Sequence, residues 1–343
     1  MNGIDLKNLS SEEIKNLVAD LGEKPYRAKQ IMAWLYKKRV SDIGAMSDLS
    51  MKLRENLQKT AYISCFQPEK VLRSEDGTRK YLFQLGKKEA IESVLIPEDD
   101  RFTICVSTQI GCSLKCRFCY TGRNGLIRSL TSAEILNQID AVLNHVADEG
   151  RITNIVFMGM GEPLANYENT LKALEIIFHP SGFNFSHRRV TLSTAGLIPQ
   201  IRRLGRDNPV NLAISLNGAD NKTRSFLMPI NKTYPLEDLL TACHEYPLAP
   251  RKRITFEYIL IAGVNDSLED AQKLVGLLRP IRCKINIIPF NEHPEIGFRR
   301  PEPDRINSFT DFLLNHDYTV TIRESGGKDI MAACGQLGGE ING

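Results

Sequence analysis

The feature that most constrains this chain is an alternation of strand-like and helix-like segments that starts near residue 101. FTICVST reads as a strand. After it, the capping box Thr131-x-x-Glu134 opens a helix with Ile135, Ile139, Val142, Leu143 and Val146 on one face. NIVFMG, RVTLST, VNLAISL, ITFEYILI, KINIIPF and TVTIR read as further strands. Helices are predicted between them over 169–178, 197–204, 236–246, 268–278 and 305–314. Repeated strand–helix units imply a parallel sheet covered by helices, because a parallel crossover needs a connection of helix length. Six units suit a partial or closed α/β barrel, with ligands gathered at the C-terminal ends of the strands.

Two regions precede the alternation. Residues 1–65 read as a small helical accessory domain. Ser10-x-x-Glu13 is a capping box, Ile14, Leu17, Val18 and Leu21 follow at helical spacing, and Gly22 supplies the stop. A second helix places Ala28, Ile31, Met32 and Leu35 on one face, and Leu49, Leu53 and Leu57 mark a third. The module has few residues able to ligate metal, so docking to a partner or substrate is its expected role. Residues 66–100 read as linker strands: KVLRS and RKYLFQL flank the turn signal Asp76-Gly77, and AIESVLI runs to Pro97. The barrel is expected over 101–343.

A chain of 343 residues with 42% hydrophobic and 25% charged residues has room for one large domain and a small one. No apolar run reaches about 18 residues, the length of a membrane span. MNGIDLKNLSSEEIKN is polar throughout, so no secretory signal is expected and the chain reads as cytoplasmic. The net charge of +3 neither demands nor excludes nucleic acid. Basic residues do cluster at Lys37-Lys38-Arg39, Arg188-Arg189, Arg202-Arg203, Arg251-Lys252-Arg253 and Arg299-Arg300. Taken singly, each reads as a solvated helix end or loop.

Three of the eight cysteines fall within Gly111-Cys112-Ser113-Leu114-Lys115-Cys116-Arg117-Phe118-Cys119, just after the first barrel strand. Cys112, Cys116 and Cys119 can ligate three irons of one [4Fe–4S] cube. No fourth cysteine stands at ferredoxin spacing, so the fourth iron is left open to chelate a ligand. Structural zinc would want four closed ligands, and no second pair is present; the nearest downstream histidine is His145, on a predicted helix. Core filling does not suit three cysteines interleaved with Lys115 and Arg117. Gly159-Met160-Gly161-Glu162-Pro163 closes the next strand. By itself it is a turn. A strand and a helix beyond the thiolate loop, it reads as a place where backbone approaches a ligand and Glu162 accepts hydrogen bonds from an amine.

The pattern C-x3-C-x-aromatic-C after the first strand of an α/β barrel resembles the radical S-adenosylmethionine (SAM) superfamily. That resemblance implies SAM chelated on the open iron through its amino and carboxylate groups, and a 5′-deoxyadenosyl radical on reductive cleavage. A closer resemblance spans nearly the whole chain. IPEDDRFTICVSTQIGCSLKCRFCYTG, VFMGMGEPL, RVTLSTAG, LMPIN, IIPFN and AACGQL together are similar to the RlmN/Cfr family of RNA methyltransferases, and more to its housekeeping branch than to Cfr. The resemblance implies a partial (β/α)6 radical SAM barrel with a small N-terminal helical domain. It also implies one [4Fe–4S] cluster and two SAM molecules per turnover. The product would be adenosine methylated at C2 in 23S rRNA, at the peptidyl transferase centre, and in tRNA beside the anticodon. A flavodoxin-like electron donor and a monomeric enzyme are further expectations.

Adenine C2 is an electron-poor carbon between two nitrogens and does not attack the electrophilic methyl of SAM. The methyl must arrive as a carbon radical. The resemblance gives Cys334 the role of accepting a methyl and presenting it; taken alone, Cys334 reads as a buried or idle thiol. It makes Glu92 the base that removes the C2 proton, although its position reads as an exposed strand carboxylate. It makes Cys105 the second thiol that frees the product by forming a transient disulfide with Cys334. Gly161, Glu162, Ser193, Ser215, Leu216, Asn217 and Asn291 would bind SAM, though each Ser or Asn also fits a turn or cap. At Asn217 the resemblance departs, since several members of the family carry histidine there. Cys65, Cys243 and Cys283 match no motif and read as structural.

Three other readings remain open at this level. A C8 methyltransferase of the Cfr type would share every thiol. A radical SAM enzyme acting on a small molecule would not need Cys334 or Cys105. A non-catalytic iron–sulfur electron carrier would leave Gly161-Glu162 unexplained.

Overall fold

The computed structural model describes residues 3–87, 89–207 and 210–338. Its centre is a ten-stranded sheet. Seven parallel strands lie in sequence order: Arg101–Cys105, Arg151–Phe157, Val190–Thr194, Asn211–Ser215, Ile254–Leu260, Cys283–Pro289 and Val320–Ile322. Six helices make the crossovers: Ser132–His145, Tyr167–Phe178, Ile198–Asp207, Leu236–His244, Leu268–Leu278 and Pro303–Leu314. Each puts an apolar stripe on the sheet, as Ile135, Leu136, Ile139 and Val142 do for the first. The first and last parallel strands do not pair, so the sheet is a partial (β/α)6 barrel carrying one extra strand.

The segment expected to link the two domains is instead barrel wall. Strands Lys70–Arg73, Arg79–Gly86 and Glu89–Glu98 are antiparallel, and Glu89–Glu98 pairs with Arg101–Cys105. Ala90 to Leu95 are buried on both faces, which suits a strand inside a sheet and not a surface hairpin. Alternation along a sequence reveals a strand but not its partner, and this one turns back tightly at Asp99, where φ is +48°.

The predicted strand FTICVST is shorter than expected, and a second short strand follows it. It ends at Cys105, and Gln109–Gly111 forms a separate two-stranded ribbon with Leu126–Ser129. The cysteine loop lies between these two arms. The arms meet closely at Gly111, where φ is +74° and a Cβ would stand 1.8 Å from the Gly125 carbonyl oxygen. Only glycine fits there.

The N-terminal helices Ser11–Asp20, Tyr26–Tyr36 and Met51–Thr60 form as the spacing predicts. The first opens with a complete capping box: Ser10 Oγ accepts from the Glu13 amide at 3.1 Å, and Glu13 Oε2 accepts from the Ser10 amide at 2.6 Å. The module packs on the barrel's first two helices. Buried Lys7 donates to Asn137 Oδ1 at 2.8 Å and Asp140 Oδ2 at 2.7 Å, and one hydrophobic core runs through both parts. Among the described residues, no helix is long and apolar enough to cross a membrane.

Candidate active site

The loop of Cys112, Cys116 and Cys119 is held from two sides and by a turn of its own. The Cys112 amide donates to the Gly125 carbonyl at 2.9 Å, the Arg117 amide to the Leu227 carbonyl at 2.9 Å, and the Cys119 amide to the Cys116 carbonyl at 3.2 Å. Phe118 is buried with Leu227, Met228 and Phe290, and Leu114, Cys116 and Cys119 pack against that apolar cluster, which anchors the loop. Burial pushes Cys112 up to about 12 and Cys116 well above the usual thiol range, and the neighbouring Cys119 sulfur adds to both shifts. In so dry a loop three adjacent thiolates would repel one another, so the protons leave only when a cation takes their place. The donor set therefore suits an iron cluster. Among the described residues, no three ligating side chains converge on a point suited to one metal ion.

Beside the loop is a cavity of about 810 Å³, counted to its open mouth. All three cluster cysteines line it, with Gly161, Glu162, Ser193, Ser215, Asn217 and Cys334. Gly161 has φ +95°, and a Cβ there would stand 2.4 Å from Gln109 Cβ. The Glu162 carboxylate is nearly fully buried. Its Oε2 accepts from the Ala195 amide at 2.8 Å and its Oε1 from the Leu164 amide at 3.0 Å. Burial raises its pKa despite those two bonds. Ser193 Oγ donates to Glu257 Oε2 at 2.8 Å. Glu257 Oε1 is buried with no hydrogen-bond partner, the Arg323 guanidinium standing 3.8 Å away. An orphaned carboxylate oxygen and fixed serine hydroxyls facing one cavity fit a ligand with ammonium and ribose hydroxyl groups, as SAM has.

Three more residues of the expected set make hydrogen bonds within the protein. Leu216 is fully buried; its amide donates to the Glu257 carbonyl at 2.9 Å, and its carbonyl accepts from Arg224 Nε at 3.1 Å. Asn291 does not line the cavity. Its Nδ2 donates to Ser325 Oγ at 3.0 Å and to the Cys334 carbonyl at 3.2 Å, steadying the C-terminal loop. Asn217 is at the cavity wall with φ +56°, but its Oδ1 accepts from the Ile259 amide at 2.8 Å and its carbonyl from Asn265 Nδ2 at 3.0 Å. It is spent on joining two strand ends.

Cys334 is partly exposed and stands at a junction. It lines the cluster cavity and also a second cavity with Cys105, Met158 and Arg323. Both thiols are free. Burial, and then the Cys334 sulfur, push Cys105 up to about 12. Arg323 opposes this, and the Cys334 sulfur in turn keeps the guanidinium firmly charged. The Cys334 loop is strapped to the cluster segment: the Tyr120 amide donates to the Gly335 carbonyl at 2.7 Å, and Thr121 Oγ1 to the Leu337 carbonyl at 2.8 Å.

Glu92 lines neither cavity, and it is not the exposed strand carboxylate that its position suggested. It is fully buried, paired with Lys80 at 3.2 Å, and its Oε2 accepts from the Gly338 amide at 2.6 Å. It therefore grips the segment that carries Cys334.

Arg224, Glu257 and Arg323 carry no signal in the sequence that marks them as site residues. Arg224 is fully buried among neutral partners, giving bonds to Leu216, Asn231 and Ala195, and burial lowers its pKa to about 10. Through Ala195 it braces the same turn that holds Glu162.

Comparison with known proteins agrees with this geometry. Residues 4–63 match the ribosomal RNA large subunit methyltransferase N-terminal domain, and residues 106–275 match the radical SAM superfamily. The chain is 53% identical to the dual-specificity RNA methyltransferase RlmN of Syntrophotalea carbinolica, over 98% of this chain and 90% of the relative. It is 51% identical to that of Geobacter sulfurreducens, over 99% and 93%. A crystal structure of a radical SAM methyltransferase from Sphaerobacter thermophilus superposes with a TM-score of 0.91 at 42% identity, covering 97% of this chain and 99% of that one. A loop of three cysteines, a cavity beside it and a thiol pair on one barrel thus coincide with full-length likeness, and the chain belongs to the RlmN family of radical SAM RNA methyltransferases.

Proposed function

We propose that this enzyme methylates C2 of adenosine in 23S rRNA at the peptidyl transferase centre, and of adenosine beside the tRNA anticodon, through an S-methyl group on Cys334. One observation supports this route above all: Cys334 lines both the cavity of the cluster cysteines and the cavity of Cys105. A thiol so placed can receive a methyl on one side and be attacked by a second thiol on the other. An enzyme of a small molecule would have no use for that pair.

Cys112, Cys116 and Cys119 would hold the cluster, with SAM bounded by Gly161, Glu162, Ser193, Ser215 and Glu257. When bound, this pair of cofactors supplies an electrophilic methyl and, from a second SAM, a hydrogen-abstracting radical. Cys334 accepts the methyl by displacement through its sulfur, in a cavity that Arg323 also lines. The carbon on Cys334 then bonds to adenine C2 while still held by sulfur. Glu92 takes the C2 proton, which requires the Gly335–Gly338 segment to release its carboxylate. The Cys105 thiolate attacks Cys334 Sγ; the carbon–sulfur bond breaks with its electron pair passing to the former methylene carbon, which takes up a proton to become the C2 methyl, and a Cys105–Cys334 disulfide remains for reduction before the next turnover. A flavodoxin-like protein as electron donor, a monomeric enzyme and a cytoplasmic location complete the reading.

Anaerobic incubation with SAM, a reductant and RNA tests it. The expected products are 2-methyladenosine and 5′-deoxyadenosine, with no methylated nucleoside from Cys334→Ala. Methylation at C8, or turnover that survives Cys334→Ala, would contradict it.

A further inference from the structure

The five basic clusters of the sequence meet different fates in the fold. Lys38 lies over the Trp34 ring at 3.4 Å and Arg39 is 3.8 Å from Asp140. Arg202 pairs with Glu245, Arg203 with Glu168, and Arg300 with Glu324. Arg188, Arg189, Arg251, Lys252 and Arg253 have no carboxylate partner among the described residues. Where they bond, they bond to neutral groups: Arg189 to Asn154, Lys252 to Asn211 and Arg253 to Thr319.

These two clusters are about 60 residues apart in sequence, yet the fold brings them together. Each immediately precedes a parallel strand, Val190–Thr194 or Ile254–Leu260, so both lie at the N-terminal end of the barrel. They rim an open cavity of about 900 Å³ that Arg101, Lys284 and Arg323 also line, against one carboxylate, Glu98. The like charges are felt: burial and then Arg188 lower the Lys252 pKa. Above the rim the barrel wall is polar, with Asn154, Thr191, Thr255 and Asn286 facing inward. A barrel of this kind is ordinarily filled with branched apolar side chains. The interior shares walls with the reaction centre: Met158 lines this cavity and both active-site cavities, and Arg323 lines this one and that of Cys105 and Cys334.

We propose that this basic mouth is the RNA entrance of the barrel: Arg188, Arg189, Arg251, Lys252 and Arg253 hold backbone phosphates of a single-stranded segment whose nucleotide is directed inward toward Cys334. The proposal rests on the reading of the enzyme as an RNA methyltransferase. An acidic electron-donor protein would also favour positive charge. It would cap the rim and leave the polar interior unfilled, whereas a phosphodiester strand brings one charge per nucleotide and a base that can enter.

The test is binding of a fluorescent RNA hairpin bearing the target adenosine to the cluster-loaded enzyme, followed against salt. R188Q/R189Q and R251Q/K252Q/R253Q should each weaken binding tenfold or more. The slope of log affinity against log salt should shrink by about 0.7 for each phosphate no longer neutralised. The lysine replacements R188K/R189K should retain most of the affinity, and R202Q/R203Q should leave it unchanged. Iron content and unfolding midpoint monitor the fold of each variant. Affinity and slope within twofold of wild type in both glutamine variants would overturn the proposal. So would unchanged RNA affinity with slowed reduction by a flavodoxin-type donor, which would mark the mouth as a protein dock. A wild-type enzyme that neither binds nor methylates RNA would overturn the underlying reading instead.

Discussion

The Cys105 thiol is kept protonated by its surroundings, and this sets a pH dependence. Burial and the Cys334 sulfur raise its pKa to about 12, so near neutrality it is almost wholly thiol. Attack on Cys334 requires the thiolate. A raised pKa means the reactive form grows as pH rises, by about tenfold per unit until the pKa is approached. Release of product from Cys334 in a single turnover should therefore accelerate steadily from pH 7 to pH 9 without a plateau; a rate flat across that range would show that Cys105 is not the attacking group. At this scale the cysteines were legible because three of them share one short loop. Arg224, Glu257 and Arg323 were not. Each is a single charged residue whose meaning comes from partners on other strands, as Arg224 shows by bonding Leu216, Asn231 and Ala195. Glu92 reads as exposed in the sequence because strand alternation cannot tell solvent from a covering segment, here the one ending at Gly338.

Among elements, the strand-to-helix turns carry the binding surface. The Gly161 turn packs so tightly on Gln109 that a Cβ would come within 2.4 Å. Gly161→Ala should cost about 2 kcal/mol through strain and displacement. It should also tilt Glu162 off the Ala195 amide and weaken SAM binding. Unfolding midpoint and calorimetric SAM titration check this, and a variant with wild-type SAM affinity would show that the turn can relax. Both capping boxes form as the sequence predicts, because a cap is a contact between residues three apart. Strand pairing is non-local. That is why the strands of residues 66–100 are recognisable in the sequence but their place beside Arg101–Cys105 is not. The ribbon of Gln109–Gly111 and Leu126–Ser129 escapes notice for a related reason: arms of three and four residues carry too little alternation to read.

For the whole molecule, the accessory helices are fastened to the barrel through a buried charge. Lys7 is fully buried and gives its ammonium to Asn137 and Asp140. Lys7→Met leaves that carboxylate without its nearest cation and should destabilise the docked state by about 3 kcal/mol. Limited proteolysis near residues 60–70 should then quicken, while an unchanged cleavage rate would mean the shared hydrophobic core holds the module without Lys7. The barrel class was legible from six strand–helix units, each a local pattern repeated. The union of Arg188-Arg189 with Arg251-Lys252-Arg253 was not, since it exists only once the strands are aligned. The double placement of Cys334, between the cluster cavity and the Cys105 cavity, is the feature of the whole molecule on which the proposed methyl relay rests. Its most direct test is peptide mass spectrometry of the enzyme after incubation with methyl-deuterated SAM in the absence of RNA. The predicted result is a labelled methyl on the Cys334 peptide that disappears when RNA is added under reducing, anaerobic conditions; RNA that becomes methylated while Cys334 never carries the label would contradict it.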